Sequence, residues 1–137
     1  MKFALLDKSN YLKGLLIIAR KDNQLAESEK DILKSTSEKL GFASDFYEET
    51  IKNLLHNKHI AEEPIIFSDK EIASSFISDG LKLAFSDMKI HAAEIEWLKE
   101  TALKNSIELT WFEKEQQKIH RETNQSIQSD LKLYSII

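Results

Sequence analysis

Two stretches of the chain share one pattern: residues 22–29 read DNQLAESE and residues 87–94 read DMKIHAAE. Each begins with an aspartate, has an aliphatic residue three positions later and ends with a glutamate four positions beyond that. The offset between them is 65 residues, and it also pairs apolar residues on both sides, among them Leu16 with Leu81, Ala19 with Ala84, Leu33 with Leu98 and Phe46 with Trp111. A register held over this length predicts an internal repeat of two units.

The first unit predicts three helices, because its apolar residues recur at helical spacing between short polar turns. We expect helices over about residues 8–21 and 26–40, with Gly41 as the left-handed residue that ends the second. Ser44 is the predicted N-cap of the third helix. The first helix is apolar over most of its circumference, so we expect it to be enclosed at the centre of the fold.

The second unit predicts the same three helices. We expect the first to run from Ser68 to Asp87, the second from His91 to Asn105, and the third to begin at Thr110. Ser68 and Thr110 each precede a glutamate by three positions, the spacing of a capping box, so both are predicted N-caps. The first helices of the two units are expected to meet at the centre.

The composition predicts one all-α domain over residues 1–137, built from six or seven helices. The chain is 42% hydrophobic and has only 3 glycines and 1 proline, so it can form a core and has few breaks between helices. The repeat units cover about 8–56 and 68–122, joined by a linker at 57–67. The tail at 123–137 is either a continuation of the last helix or a seventh helix.

The repeated stretch resembles a known family. A helix ending near an aspartate, then an aliphatic residue and a glutamate at the head of the next helix, occurring twice, is similar to the TerB-like family associated with tellurite resistance. The resemblance spans about residues 12–119. It departs from the family pattern at Asn23 and Met88, where members usually carry glycine. It implies a non-catalytic binding module in stress or tellurite-resistance biology and rests on Ala19, Asp22, Leu25, Glu29, Ala84, Asp87, Ile90 and Glu94.

The paired carboxylates Asp22 with Glu29, and Asp87 with Glu94, allow two interpretations. In the first, each aspartate accepts unpaired N–H groups of the next helix, and each glutamate is stabilised by the positive end of that helix. In the second, the two carboxylates of a unit converge on one helix start and bind a divalent cation there. Both interpretations stay open at this point.

His91 adds a nitrogen atom between Asp87 and Glu94, which makes a transition metal a further candidate ligand. An EF-hand is not expected, because the first and third positions of its loop would be Ile18 and Arg20 in the first unit. No pattern of residues predicts catalysis. We therefore expect no enzyme and no cofactor apart from the candidate metal.

The net charge of −4 and the pI near 5.6 predict no nucleic-acid partner, since such proteins concentrate Lys and Arg on one face. The longest apolar run, residues 15–19, is too short to cross a bilayer, so we expect no integral membrane segment. We expect a cytoplasmic location. We expect a protein partner, but the sequence does not identify it. The sequence does not specify the oligomeric state either.

An adaptor is the alternative function. In that interpretation the acids only cap helices, and a solvent-facing apolar patch binds a partner protein. The large aromatic residues lie at core spacing and are predicted to be core rather than ligand contacts: Phe46, Trp97, Trp111 and Phe112.

Overall fold

The computed structural model describes residues 3–20, 27–56, 63–86, 91–125 and 131–136. Within these ranges all regular structure is helical, which confirms the predicted all-α domain of six or seven helices. The tail contributes a separate short helix. The helices are α1 (Leu5–Arg20), α2 (Glu27–Lys39), α3 (Ser44–His56), α4 (Lys70–Phe85), α5 (Ala92–Lys104), α6 (Leu109–Asn124) and α7 (Leu133–Ile136).

The helix bounds follow the 65-residue offset that relates the two sequence stretches. Both ends of α4 lie 65 residues after the ends of α1, and the same holds for α5 and α2. α6 begins 65 residues after α3. The packing follows the same order, because α1 contacts α2 and α3, while α4 contacts α5 and α6. α1 and α4 pack against each other, as predicted for the two central helices.

The turns that end α2 and α5 have the same hydrogen bonds. The Phe42 N–H donates to the Ser37 carbonyl at 3.0 Å, and the Ile107 N–H donates to the Ala102 carbonyl at 3.0 Å. This six-residue bond belongs to the Schellman motif, which needs a left-handed residue just before the donor. Gly41 supplies it with a φ of 87°, as predicted, and the equivalent Ser106 has a φ of 62°.

Three predicted N-caps are wrong. α3 includes Ser44 as its first residue, so Ala43 and not Ser44 holds the N-cap position. Asp69, not Ser68, caps α4, and its carboxylate accepts the Glu71 N–H at 2.7 Å. Ser68 instead donates its N–H and its hydroxyl to Asp7, a buried carboxylate on α1 that the local sequence pattern does not reveal. α6 begins at Leu109, one residue before the predicted cap Thr110, and no side chain caps it.

The core lies between α1 and α4, where two aromatic rings meet edge to face. The ring centroids of Tyr11 and Phe76 are 5.4 Å apart, and these residues are themselves 65 positions apart. Tyr11 in the first unit is therefore the equivalent of Phe76 in the second, and the two equivalent residues contact each other. Glycines allow the helices to approach, because a Cβ at Gly14 would overlap the Phe76 ring and one at Gly80 would lie 2.6 Å from Leu98 Cδ2. Among the described residues no helix is both long and apolar enough to span a membrane.

The two equivalent turns generate a matched prediction. Gly41→Ala should lower the free energy of unfolding by about 1 kcal/mol, since an L-residue in the left-handed region costs roughly 1–2 kcal/mol. No atom lies within 4 Å of the added Cβ, so the cost is conformational alone. Ser106→Gly should raise that free energy by a smaller amount. Urea unfolding of both variants tests this, and a Gly41→Ala variant as stable as the wild type would contradict it.

Candidate functional site

The structure describes three of the five predicted metal ligands. Asp22 and Asp87 lie outside the described residues. Glu29 and Glu94 occupy the first turns of α2 and α5, and both side chains are buried, at 2% and 1% exposure. His91 precedes α5 as its N-cap residue and makes no side-chain cap bond, and its Nδ1 lies 3.9 Å from Glu94 Oε2. The repeat therefore places its two glutamates in equivalent buried positions.

Glu94 and His91 are the two predicted metal ligands that the structure brings close to each other. A carboxylate oxygen and an imidazole nitrogen are both suitable ligands for a transition metal. Within the described ranges, no three His, Asp or Glu side chains are grouped so that they could hold an ion. A complete site at this position would need at least one further ligand besides these two.

An apolar groove lies between α1 and α3 and has a volume of about 410 Å³. Leu12 and Leu16 are buried and form its floor. Phe42 and Phe46 form one wall, with their rings stacked at a centroid distance of 5.1 Å. Polar side chains lie at the rim, among which Lys13 is the one charged group: Ser9, Lys13, Thr50 and Asn53. We call these eight residues the α1–α3 groove.

The second unit is closed at the equivalent place. Residues 65 positions after Lys13 and Thr50 are Ser78 and Glu115. The Ser78 hydroxyl donates to Glu115 Oε2 at 2.7 Å, which joins α4 to α6. In the first unit the Thr50 hydroxyl donates to the carbonyl of Phe46 on its own helix, at 2.7 Å. The first unit therefore lacks the cross-helix bond that the second unit has.

Exposed apolar side chains also lie on α1 about one turn before Ser9, which lines the groove. Leu5 and Leu6 in the first turn of α1 are 72% and 71% exposed. Phe46 is 49% exposed, so the prediction that it belongs to the core is wrong. Trp97 and Phe112 are buried, as predicted. Core spacing indicates which face of α3 is apolar, but how closely α3 packs on α1 is a tertiary property.

A second constellation of polar groups surrounds Asp79 in the middle of α4. Its carboxylate accepts the Tyr11 hydroxyl at 2.5 Å, the Lys132 N–H at 2.6 Å and the Leu133 N–H at 3.0 Å. Asp79 thereby joins α1, α4 and the start of α7. No sequence motif predicts its role, although an aspartate among the core-facing residues of α4 is a signal for a buried polar contact.

The pKa of Asp79 is raised, because the effect of burial is larger than the opposing effect of its hydrogen bonds. Those bonds come from Tyr11 and from the N–H groups at the start of α7, and they lower the pKa. Burial and the nearby Asp79 carboxylate together raise the pKa of the Tyr11 hydroxyl well above its usual value. Burial also lowers the pKa of Lys82, one turn further along α4. The three-way contact fixes the position of α7 against α1 and α4.

Comparison with known proteins gives no relative for this chain. No protein-family model matches it, no curated protein matches it, and no solved structure matches it. The resemblance to the TerB-like family therefore has no support beyond the residues that carry it.

The raised pKa of Asp79 predicts how the free energy of unfolding changes with pH. A group whose folded pKa is raised contributes stability below its unfolded pKa, about 3.9 for Asp, and loses that contribution as pH rises through the folded pKa. The free energy of unfolding of the wild type minus that of Asp79→Asn should therefore fall as pH rises from about 4. In a Tyr11→Phe background, which lacks a bond that lowers the pKa, the fall should extend to higher pH. Urea titrations at several pH values measure this, and a difference that grows with pH would contradict it.

Proposed function

We propose that the chain is a non-catalytic adaptor that binds a partner protein through the α1–α3 groove. The observation that carries this proposal is the groove itself, with its buried leucine floor, exposed Phe46 wall and adjoining exposed Leu5 and Leu6. Exposed apolar surface of this kind is typical of protein-binding faces. Full burial of one large apolar side chain contributes about 1.5–3 kcal/mol, so a partner that covers Phe46 and the two leucines gains substantial free energy.

The aromatic wall suits this role. Interfaces depend on a few large side chains near their centre, and aromatic residues are enriched among them. The ring of Phe46 is held against Phe42, so it loses little conformational freedom when a partner covers it. Phe46 lines the groove and is half exposed, so it is the proposed anchor of the interface.

The adaptor proposal predicts which substitutions abolish binding. The probe is a displayed library of amphipathic helical peptides of about 15 residues, selected on the wild-type protein. Phe46→Asp should weaken the selected peptides at least about tenfold, equal to about 1.4 kcal/mol. Ser9→Trp, which places a bulky ring over the floor from an exposed position, should do the same.

Leu103→Asp is the matched control, because Leu103 is 51% exposed on α5 and does not line the groove. It should leave the affinities unchanged. Circular dichroism of each variant separates loss of binding from loss of folding. Selected peptides that bind Phe46→Asp and Ser9→Trp as tightly as the wild type would refute the adaptor proposal.

A divalent-metal module is the second candidate function, favoured by the equivalent burial of Glu29 and Glu94 and by His91 beside Glu94. In this proposal Asp22 and Asp87 complete the two sites. The stress or tellurite-resistance role, the cytoplasmic location and the absence of a nucleic-acid partner remain predictions from the sequence.

The metal proposal predicts an ion-dependent melting temperature. An ion that binds only the folded chain adds about 2.7 kcal/mol of stability at 100 times its dissociation constant. Glu29→Gln, Glu94→Gln, Asp22→Asn and Asp87→Asn should each erase most of this gain in the occupied unit, although Asn and Gln still cap helices. The measurement compares Ca²⁺, Mg²⁺, Mn²⁺ and Zn²⁺ with a chelator blank. A wild-type melting temperature that does not change with any of the four ions would contradict the metal proposal.

A further inference from the structure

We infer that the partner segment in the α1–α3 groove is an amphipathic helix of about three turns that places a carboxylate beside Lys13. The inference rests on the proposed adaptor function and specifies the chemistry of the partner. It is carried by the length of the apolar stripe on α1, by the helical walls of the groove and by the charge at its rim.

The length comes from the spacing of residues on one face of α1. Leu5, Ser9, Leu12 and Leu16 lie at intervals of four, three and four, so they share a face of the helix. From Leu5 to Leu16 the stripe extends about 17 Å at 1.5 Å per residue, which equals about three helical turns. A small ligand confined to the groove would leave Leu5 and Leu6 exposed, whereas a helix of this length covers them.

The shape comes from the two helices that line the groove. α1 supplies the leucine floor and α3 supplies Phe46 on the wall, so a third helix can lay its apolar face on the floor beside that wall. Leucines at helical spacing on the partner would enter beside Leu12 and Leu16. The partner's anchors are therefore expected at i, i+3, i+4 and i+7.

The charge comes from Lys13. It is the one charged side chain that lines the groove, and within the described ranges it makes no ion pair. The equivalent position in the second unit is Ser78, whose hydroxyl donates to the Glu115 carboxylate between α4 and α6. Thr50 stands in place of that glutamate, so the first unit offers Lys13 no carboxylate from α3 at this point. A carboxylate on the bound helix would fill the position that Glu115 fills in the second unit.

A second copy of this chain fits the groove less well. A two-fold contact brings the same patch of both copies together, so Lys13 would face a patch that contains a lysine and no acid. The charge at the rim therefore favours a different, acidic partner over self-association.

The test uses a library with leucine fixed at the four anchor positions and each flanking position randomised among Glu, Gln and Lys. Selection on the wild type should enrich Glu at one flank, and selection on Lys13→Glu should enrich Lys at the same flank. Lys13→Gln should show neither preference. Lys114→Glu, an exposed lysine on α6 outside the groove, is the matched control and should give the wild-type result.

For single peptides, Glu at that flank should bind the wild type up to about fivefold more tightly than Gln, the size of an exposed ion pair. The difference should shrink as salt concentration rises. The same flank composition on the wild type and on Lys13→Glu overturns the acidic-partner inference, while the adaptor proposal stands if Ser9→Trp still abolishes binding. A wild-type dimer in sedimentation that Ser9→Trp dissociates overturns the inference in favour of a second copy. Peptides that bind Ser9→Trp unchanged overturn both proposals.

Discussion

The packing of α1 against α4 is the contact on which the rest of the fold depends. Tyr11 and Phe76 meet edge to face at the point where exchange of the two units leaves the contact unchanged. Gly14 makes room for the Phe76 ring, and Gly80 makes room for side chains of α1 and α5. Each central helix then positions two outer helices of its own unit, so any displacement of α1 from α4 would also displace the helices that form the groove.

The functional features arise where the two units differ. Residues 14 and 79 are equivalent: the Phe76 ring packs on Gly14, whereas the Tyr11 hydroxyl bonds Asp79, whose carboxylate also accepts two N–H groups at the start of α7. On the outer side, Ser78 and Glu115 join α4 to α6, whereas Lys13 and Thr50 line an open groove. A near-symmetric scaffold thus carries two asymmetric features, a polar attachment point for the tail and an apolar groove.

Local sequence pattern predicted the features that local physics determines. The all-α class, the central position of α1 and α4 and the left-handed Gly41 follow from periodicity and turn chemistry, which act over a few residues. The N-cap at Ser68 and the burial of Phe46 were wrong, because each depends on a partner far away in the chain. The predicted ligands Glu29 and Glu94 are buried at equivalent positions, but the groove was not predicted, since it depends on the separation of two helices.

The adaptor account is tested most directly by mapping amide chemical shifts of the labelled protein during titration with a selected helical peptide. The account predicts shifts concentrated at the α1–α3 groove and in the first turn of α1, with the equivalent surface of α4 and α6 unaffected. Those equivalent positions are the internal control, because they share the architecture but are closed by the bond between Ser78 and Glu115. Shifts centred on α4 and α6, or spread evenly over the chain, would contradict the account.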